Sequence, residues 1–463
     1  MKKSNKETSS FRDPSGYIYY ENNTVYRKIN KRYFDKYDYL MTSGLYDELV
    51  KQNLLIEHEE VKRTDEYIII KPVQLPFISY PYEWCFEQIK DASITTLKIQ
   101  NISLKYNMTL KDATAYNIQF YQGKPIFIDT LSFDFYKEGE PWGAYGQFTR
   151  HFMAPLLLMT YVDENLNCLL RNYIDGIPLD LANNILKNRG GLTAMQHIKL
   201  HNKSINKNND SDKVEVKQAH ISKNSIINII QMLERQITKL NRQNKDTEWD
   251  KYYDNTNYND KAEISKIDYV QKYIDKINPT KEDILWDFGA NDGKYSRIAA
   301  NKKTNIVSFD IDFNAVNRNY KKTKLESESN ILPLLLDLTN PPPSIGFAQE
   351  ERKGLTERGP VKCILLLALI HHICISNNVP IENLAKWLSK ISKYIIIEFV
   401  PKEDSQIQKL LKTRKYIFDN YNQEEFEKEF TKYFEIVEKN KITDSLRTIY
   451  LMESKYEQWW IIT

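Results

Sequence analysis

The chain has 463 residues, which is too long for one ordinary hydrophobic core, so two domains are expected. Its 65 basic and 62 acidic residues nearly cancel, which gives no argument for a nucleic-acid partner or an anionic membrane surface. Four cysteines without a CxxC pair favour a reducing compartment and disfavour a zinc cluster. The N-terminal residues lack the apolar core of a secretory signal, and the apolar runs are too short to span a bilayer. These features predict a soluble cytoplasmic protein.

The first part of the chain is predicted to mix short strands with helices. A hairpin is indicated where apolar and polar residues alternate around Glu21-Asn22-Asn23. A second pair of short strands flanks the turn Gln122-Gly123. The remaining predicted elements are helical stretches around 34–52 and 83–105, a β-branched strand that ends in Lys71, and a buried helix at 141–162 in which His151 is predicted to pack or to cap.

Polar residues stand at both ends of the second hairpin. Asp112 and Asn117 precede it, and Asp129 follows it. This spacing resembles the catalytic loop of protein-kinase-like phosphotransferases, in which an aspartate orients a hydroxyl while an asparagine and a second aspartate hold magnesium. The resemblance implies an α+β kinase-like N-terminal domain, with Asp112 catalytic, Asn117 and Asp129 as metal ligands, and ATP with Mg²⁺ as cofactors.

The rest of that resemblance is incomplete. It implies a small lobe in which Lys71 pairs with Glu83 or Glu87, but Lys71 precedes a proline and the first hairpin lacks GxGxxG. A degenerate kinase-like scaffold is therefore the alternative to an active phosphotransferase.

The middle of the chain is predicted to separate two domains. Residues 201–214 are polar and read as a flexible linker. A helix follows whose apolar stripe is predicted to pack between domains, with a dimerising coil as the alternative; the stripe consists of Ile226, Ile230, Leu233, Ile237 and Leu240. After a tyrosine-rich segment comes a second helix, at 261–277, with a predicted buried face of Ile264, Ile267, Val270, Ile274 and Ile277. The predicted domains are 1–200 and 261–463, with a linker and helix at 201–260.

In the last part of the chain, strands alternate with helices, and polar residues follow the strands. A strand at 284–286 ends in Asp287 and leads through a turn with Gly289 and Gly293 into a helix. Later strands lead in turn to Asp310, Asp337, His371 with His372, and Glu398. Strands that alternate with helices form parallel sheets, whose carboxyl ends bind ligands. We therefore expect a Rossmann-like α/β domain with its site at this edge.

This order resembles class I S-adenosylmethionine-dependent methyltransferases. DFGANDG takes the place of their glycine-rich motif, and the final two strands match their antiparallel pair. A dehydrogenase fits less well, because the turn is ANDG and not GxGxxG. The resemblance implies S-adenosyl-L-methionine as cofactor, bound by Asp287, Gly289, Ala290, Asn291, Gly293, Asp310, Ile311, Asp337, Leu338 and Ala368.

Stretches in both halves look closer still to a subfamily related to nodulation-type methyltransferases. They include FRDPSGYIY, LKDATAYNIQF, DLTNPPPSIGF and LALIHHICISNNVP. The NPPP segment superficially resembles the NPPY motif of nucleic-acid methyltransferases, but it follows the third strand of the sheet instead of the fourth and lacks the stacking aromatic. No nucleic-acid acceptor is therefore expected.

The expected reaction is methyl transfer to a hydroxyl of a small molecule or saccharide. His371 and His372 follow the fourth strand, where a neutral histidine could take the hydroxyl proton, and Glu398 is the third catalytic candidate in this domain. Three alternatives remain: a bifunctional phosphotransferase–methyltransferase, a methyltransferase whose pseudokinase domain binds a protein acceptor, and a binding protein with a dead cofactor site. The sequence assigns neither the acceptor nor the oligomeric state.

Overall fold

The structure is a computed structural model that describes residues 5–187, 189, 220–242, 259–300, 303–413 and 420–456. It divides into two compact units: unit 1 comprises residues 1–244 and 345–352, and unit 2 comprises 245–344 and 353–463. This division differs from the predicted boundaries at 200 and 260, and it assigns a short segment of the later sequence to unit 1. The predicted linker at 201–214 and the tyrosine-rich segment at 248–258 lie outside the described residues.

Unit 1 contains a five-stranded antiparallel sheet. Its strands are β1 (Asn5–Lys6), β2 (Gly16–Glu21), β3 (Thr24–Asn30), β4 (His58–Arg63) and β5 (Tyr67–Pro72), in the order β1-β2-β3-β5-β4. The predicted first hairpin is present, with Glu21 opposite Thr24. Its two turn residues, Asn22 and Asn23, both have positive φ, which suits the right-handed twist of the flanking strands and is a conformation that asparagine tolerates.

Two small antiparallel pairs complete the strands of unit 1. They are β6 (Met108–Leu110) with β9 (Phe133–Phe135), and β7 (Ile118–Tyr121) with β8 (Lys124–Phe127), the latter being the predicted second hairpin. The α-helices of the unit, in the described residues, are α1 (Phe34–Thr42), α2 (Leu45–Lys51), α3 (Phe86–Lys105), α4 (Tyr145–Phe148), α5 (Ala154–Tyr161), α6 (Leu169–Asn172), α7 (Leu179–Leu186) and α8 (Lys223–Lys239).

The amphipathic helix α8 packs inside unit 1. Its predicted stripe is buried, and α8 lies against α3. The Nζ of Lys90, on α3, donates to the carbonyl oxygens of Thr238 and Leu240, at 3.0 and 2.8 Å. The stripe was correctly identified, but its prediction as interdomain packing was wrong, because its partner is the long helix of its own unit. Because α3 already packs against the helix that bears this stripe, the stripe gives no reason to expect a dimerising coil.

Unit 2 is built on a seven-stranded sheet. Its strands are β10 (Ile284–Phe288), β11 (Asn305–Asp310), β12 (Ile331–Leu335), β13 (Val361–Leu366), β14 (Ser392–Phe399), β15 (Phe434–Lys441) and β16 (Thr448–Ser454). The order is β12-β11-β10-β13-β14-β16-β15, and β10 to β14 run parallel while β16 is antiparallel to both neighbours. The predicted Rossmann-like methyltransferase fold is therefore confirmed for this unit.

Helices lie between the parallel strands, as crossover connections in a parallel sheet require. In the described part of unit 2 they are α9 (Asp260–Ile277), α10 (Lys294–Ala300), α11 (Phe313–Leu325), α12 (Leu355–Arg358), α13 (Ile381–Ile391), α14 (Ser405–Thr413) and α15 (Gln423–Thr431). Helix α9 buries Val270, Ile274 and Ile277 as predicted, but Ile264 is 58 % exposed and Lys266 is buried in its place. None of the helices in the described residues combines the length and the apolar character needed to cross a membrane.

Candidate functional site

The turn after β10 is tied to the end of the neighbouring strand. The amides of Gly289 and Ala290 both donate to the carbonyl oxygen of Phe309, at 2.9 and 3.0 Å. Gly289 and Gly293 have φ values of +72° and +82°, a region that disfavours other residues. A Cβ on Gly293 would also lie 2.6 Å from the side chain of Asn319. Both glycines are thus required by the backbone path.

Asp310 closes the other side of this turn. Its carboxylate accepts the amide of Asn291 at 2.8 Å and the amide of Asp312 at 2.8 Å. Burial raises the pKa of Asp310 to about 6. The next residue, Ile311, leaves 56 % of its surface exposed. The structure therefore brings the predicted glycine turn and the predicted acid together, with an exposed apolar side chain beside them.

Asp287 lies underneath the turn in a short chain of hydroxyl groups. It is buried at the end of β10 and accepts a hydrogen bond from the Ser296 Oγ at 2.6 Å. The Ser308 Oγ donates in turn to the Ser296 Oγ at 2.7 Å. Burial raises the pKa of Asp287 to about 7. The serines were missed from the sequence, because three residues on β10, α10 and β11 meet only when the sheet is formed.

The remaining predicted cofactor residues lie at the ends of β12 and β13. Asp337 is half-buried, and its Oδ1 accepts both the amide and the hydroxyl of Thr339, at 2.9 and 2.7 Å. Leu338, beside it, is also half-buried. Ala368 has a φ of +53°, an uncommon conformation for alanine. Such strained backbone is often found at functional sites, and here it falls at the carboxyl end of a parallel strand.

The two candidate histidines follow β13 and differ in burial. His371 is buried, whereas His372 is half-buried, and their ring centroids are 4.0 Å apart. Burial lowers the pKa of His371 well below its usual value and the pKa of His372 to about 4. Both rings are therefore neutral at pH 7. The assignment of either histidine as a base stays a prediction.

Glu398, the third catalytic candidate of unit 2, lies in a buried network of charges. Its carboxylate pairs with the Nζ of Lys266 at 2.7 Å and with Nη1 of Arg447 at 3.3 Å, and Arg447 also pairs with Asp404 at 2.7 Å. All four side chains are buried. A carboxylate held by two cations has little freedom to act on an acceptor, so this arrangement favours a structural role for Glu398. Lys266 and Arg447 were missed because both are distant in sequence.

The three polar residues predicted in unit 1 also converge. Nδ2 of Asn117 donates to the Ser132 Oγ at 3.1 Å, and that hydroxyl donates to Asp129. Burial raises the pKa of Asp112, and the charge of Asp129 adds to this effect. Within the described residues, no group of three or more histidine, cysteine or acidic side chains is arranged to hold a metal ion.

Arg27 of β3 forms an ion pair with Asp129. Sequence reasoning missed Arg27, as it missed Ser132. Because this pair occupies Asp129, the donor set does not fit magnesium, and the assignment of Asn117 and Asp129 as metal ligands stays a prediction without structural support. The expected pair of Lys71 with Glu83 or Glu87 is not formed: Lys71 is exposed on β5, and Oε2 of Glu83 accepts the amide of Tyr80. The strand's alternation turns Lys71 to solvent.

Comparisons with known proteins add a relative along almost the whole chain. No family model matches the sequence. The chain is 30% identical to the nodulation protein NoeA of Rhizobium meliloti (strain 1021). The alignment runs over 458 residues and spans 96% of this chain and 95% of that protein.

Two solved structures are similar to parts of the chain. Magnesium protoporphyrin IX methyltransferase (ChlM) from Synechocystis PCC 6803 with bound SAH covers 45% of this chain and 93% of its own, at 15% identity and a TM-score of 0.31. N-methyltransferase NodS from Bradyrhizobium japonicum WM9 covers 43% of this chain and 99% of its own, at 10% identity and a TM-score of 0.32. The full-length similarity to NoeA includes both units. The chain belongs to the family of the nodulation protein NoeA.

Proposed function

We propose that unit 2 binds S-adenosyl-L-methionine at the carboxyl edge of its sheet and transfers the methyl group to a hydroxyl of a small molecule or saccharide. The observation that carries this proposal is the hydrogen bond between the Asn291 amide of the glycine turn and the Asp310 carboxylate of the next strand. It holds the glycine-containing turn close to an acid, an arrangement that is typical of nucleotide sites in doubly wound α/β folds.

The residues present fit the cofactor. Asp310 has the position to accept the two ribose hydroxyls, and the exposed face of Ile311 suits an adenine ring. Asp287, Asp337, Leu338 and Ala368 complete the predicted set.

When bound, the cofactor supplies an electrophilic methyl group on a sulfonium. The work left to the protein is to orient the acceptor hydroxyl, exclude water and receive its proton. We propose that His372 receives the proton of the acceptor hydroxyl, because its ring is neutral at pH 7 and less buried than that of His371. His371 packs behind it.

For unit 1 we propose recognition of the acceptor in preference to phosphotransfer. The supporting observation is the Arg27–Asp129 ion pair, which removes the carboxylate that a magnesium–ATP complex would need. A phosphotransferase would require ATP turnover that is lost in both Asp112→Asn and Asp129→Asn. ATP with Mg²⁺ that leaves the melting temperature of the full chain unchanged supports our assignment.

Titration calorimetry of the full chain with S-adenosyl-L-methionine and S-adenosylhomocysteine tests cofactor binding. Incubation of the chain and methyl-labelled cofactor with cell extract then identifies the acceptor, with a heat-treated chain as the blank. Absence of binding to either compound would contradict the methyltransferase proposal. Label transferred to nitrogen or to protein would contradict the acceptor class while leaving the cofactor site intact.

Replacing Asp310 with alanine is expected to weaken cofactor binding about 10- to 100-fold, because hydrogen bonds to a charged group are worth about 1.5–3 kcal/mol. The affinity is measured by titration calorimetry. Asp268→Ala removes an exposed carboxylate from α9 of the same unit and serves as the matched control. Equal affinities for the two variants would show that the ribose is held elsewhere.

Cofactor affinity is also expected to depend on pH. Since the pKa of Asp310 is raised to about 6, its ionised form is lost as the pH falls through that value. The affinity of the wild-type chain should therefore fall below pH 6, approaching about tenfold per pH unit. Asp310→Asn cannot ionise at this position, so its weaker affinity should lack this step. A wild-type affinity that is flat between pH 7 and about pH 5 contradicts the role of the ionised acid.

A further inference from the structure

A second polar cluster lies in unit 1 around His151. This histidine is 1 % exposed and belongs to a π-helical turn, Thr149–Met153, between α4 and α5. Its Nε2 lies 3.2 Å from the Thr114 Oγ1, and its ring packs edge-on against Tyr116 with centroids 6.1 Å apart. Turns of this kind occur frequently at functional sites.

Two arginines flank that histidine. Arg150 precedes it in the π-helical turn, where the loop at Gly176 packs against both residues. Arg352 places its guanidinium 4.2 Å from the centre of the Tyr116 ring. Both positive charges contribute to lowering the pKa of His151, to about 3, although burial is the largest cause. The ring is therefore neutral and offers a hydrogen bond without adding charge.

Arg352 is held in place by other contacts of unit 1. It ends the segment at 345–352, in which Ile345 and Arg352 form an antiparallel bridge. The neighbouring Glu351 accepts two hydrogen bonds from Arg12, at 2.7 and 3.0 Å, and one from the amide of Phe347 at 2.9 Å. Glu351 is thus engaged with Arg12, so its charge is already balanced.

Three buried nitrogen atoms of this cluster, of which the two arginine Nε atoms are donors, lack hydrogen-bond partners among the described residues. They are Nε of Arg150, Nε of Arg352 and Nδ1 of His151. A buried donor without a partner costs about 1–3 kcal/mol, and more when it is charged, so such groups are uncommon. Two arginine donors without partners, both close enough to His151 to lower its pKa, indicate a ligand that accepts hydrogen bonds and carries negative charge.

We propose that Thr114, Arg150, His151 and Arg352, the arginine cluster, bind the oxyanion of a small molecule, either a phosphate or a carboxylate. Guanidinium groups match both anions with paired N–H donors. The charges of Glu83 and Asp175 act on Tyr116; Asp175 is exposed, and the carboxylate of Glu83 already accepts the Tyr80 amide. Asp112 also adjoins the cluster, where its Oδ1 accepts the Thr114 amide at 3.0 Å. Of these three acids, Asp175 is the exposed one. This proposal does not depend on methyl transfer.

Calorimetry and thermal melting of the full chain test the arginine cluster. The probes are inorganic phosphate, glucose 1-phosphate and glucuronate, with glucose as the neutral control. We expect at least one anionic probe to bind and to raise the melting temperature. Binding of glucose 1-phosphate identifies a phosphate ester, and binding of glucuronate identifies a carboxylate. No binding by any anion up to about 10 mM, a weaker interaction than a specific site should show, overturns the proposal.

Variants then locate the bound anion. Arg352→Gln is expected to weaken binding about tenfold or more, and Arg352→Lys less, because lysine keeps the charge but loses the paired donors. Asp175→Asn should strengthen binding by removing the competing charge. Arg63→Gln is the matched control, since Arg63 is an exposed arginine of β4 that pairs with Asp38 and Glu60. Equal weakening in Arg63→Gln and Arg352→Gln overturns the proposal, and an unchanged melting temperature of Arg352→Gln in the absence of anion shows that unit 1 remains folded.

Discussion

Replacing His372 with alanine is expected to lower kcat on the identified acceptor by a factor of about 10² to 10⁴, the usual contribution of a general base. The physical reason is that the acceptor proton loses its receiving group while the cofactor pocket keeps its contacts. Cofactor affinity should therefore change little, and the loss should appear in kcat. Single-turnover measurements with labelled cofactor separate this step from product release.

His371→Ala is the matched control for that measurement. His371 is buried, so its removal is expected to lower the free energy of unfolding through lost packing and to affect kcat less than His372→Ala does. The pH dependence gives a second readout. With a pKa of about 4, His372 is neutral from about pH 5 upwards, so a histidine-dependent acidic limb should lie near pH 4 instead of pH 6.5. Full turnover in both alanine variants contradicts the assignment of a histidine base.

The sequence was most informative where function requires residues close together in the chain. The glycine turn and the acids after β10, β11 and β12 were predicted because parallel strands place all their carboxyl ends at one edge. The antiparallel pair β15–β16 was expected from the resemblance to class I methyltransferases. In unit 2, the strand predicted at 284–286 is present as β10 and extends two residues further, to Phe288.

Contacts between distant residues were not predictable in this way. Lys266 lies on what reads as a polar position of α9, yet it is buried against Glu398, while the apolar Ile264 is exposed. Arg27 and Arg352 do not belong to a recognisable local motif. Their partners, Asp129 and Tyr116, are each about 100 or more residues away in the sequence. A periodic pattern identifies the buried face of a helix on average, but a buried charge becomes favourable only when its counter-charge is positioned.

A structural role and a catalytic role for Glu398 have different consequences for the stability of unit 2. Changing Glu398 to glutamine leaves Lys266 and Arg447 buried with one carboxylate, Asp404, in place of two. Breaking a buried ion pair in this way costs about 3–5 kcal/mol, so the free energy of unfolding of unit 2 should fall by that amount. Denaturant titration measures this change in the free energy of unfolding. The relevant transition is the one in which β10, the strand that contains Trp286, unfolds. Glu453→Gln removes a partly exposed ion pair on β16 and should cost about 1 kcal/mol or less.

A double variant separates the structural role of Glu398 from a catalytic one. In Lys266→Met with Glu398→Leu, two opposite charges are replaced by apolar side chains of similar size, which leaves the Arg447–Asp404 pair intact. Stability should then return to within about 1 kcal/mol of the wild-type value, because both members of one pair are removed together. If Glu398 only supports the fold, methyl transfer returns with stability. A double variant that is stable, binds the cofactor and remains inactive would instead establish Glu398 as a catalytic residue, and the paired cations would then be the means by which its carboxylate stays ionised in the interior.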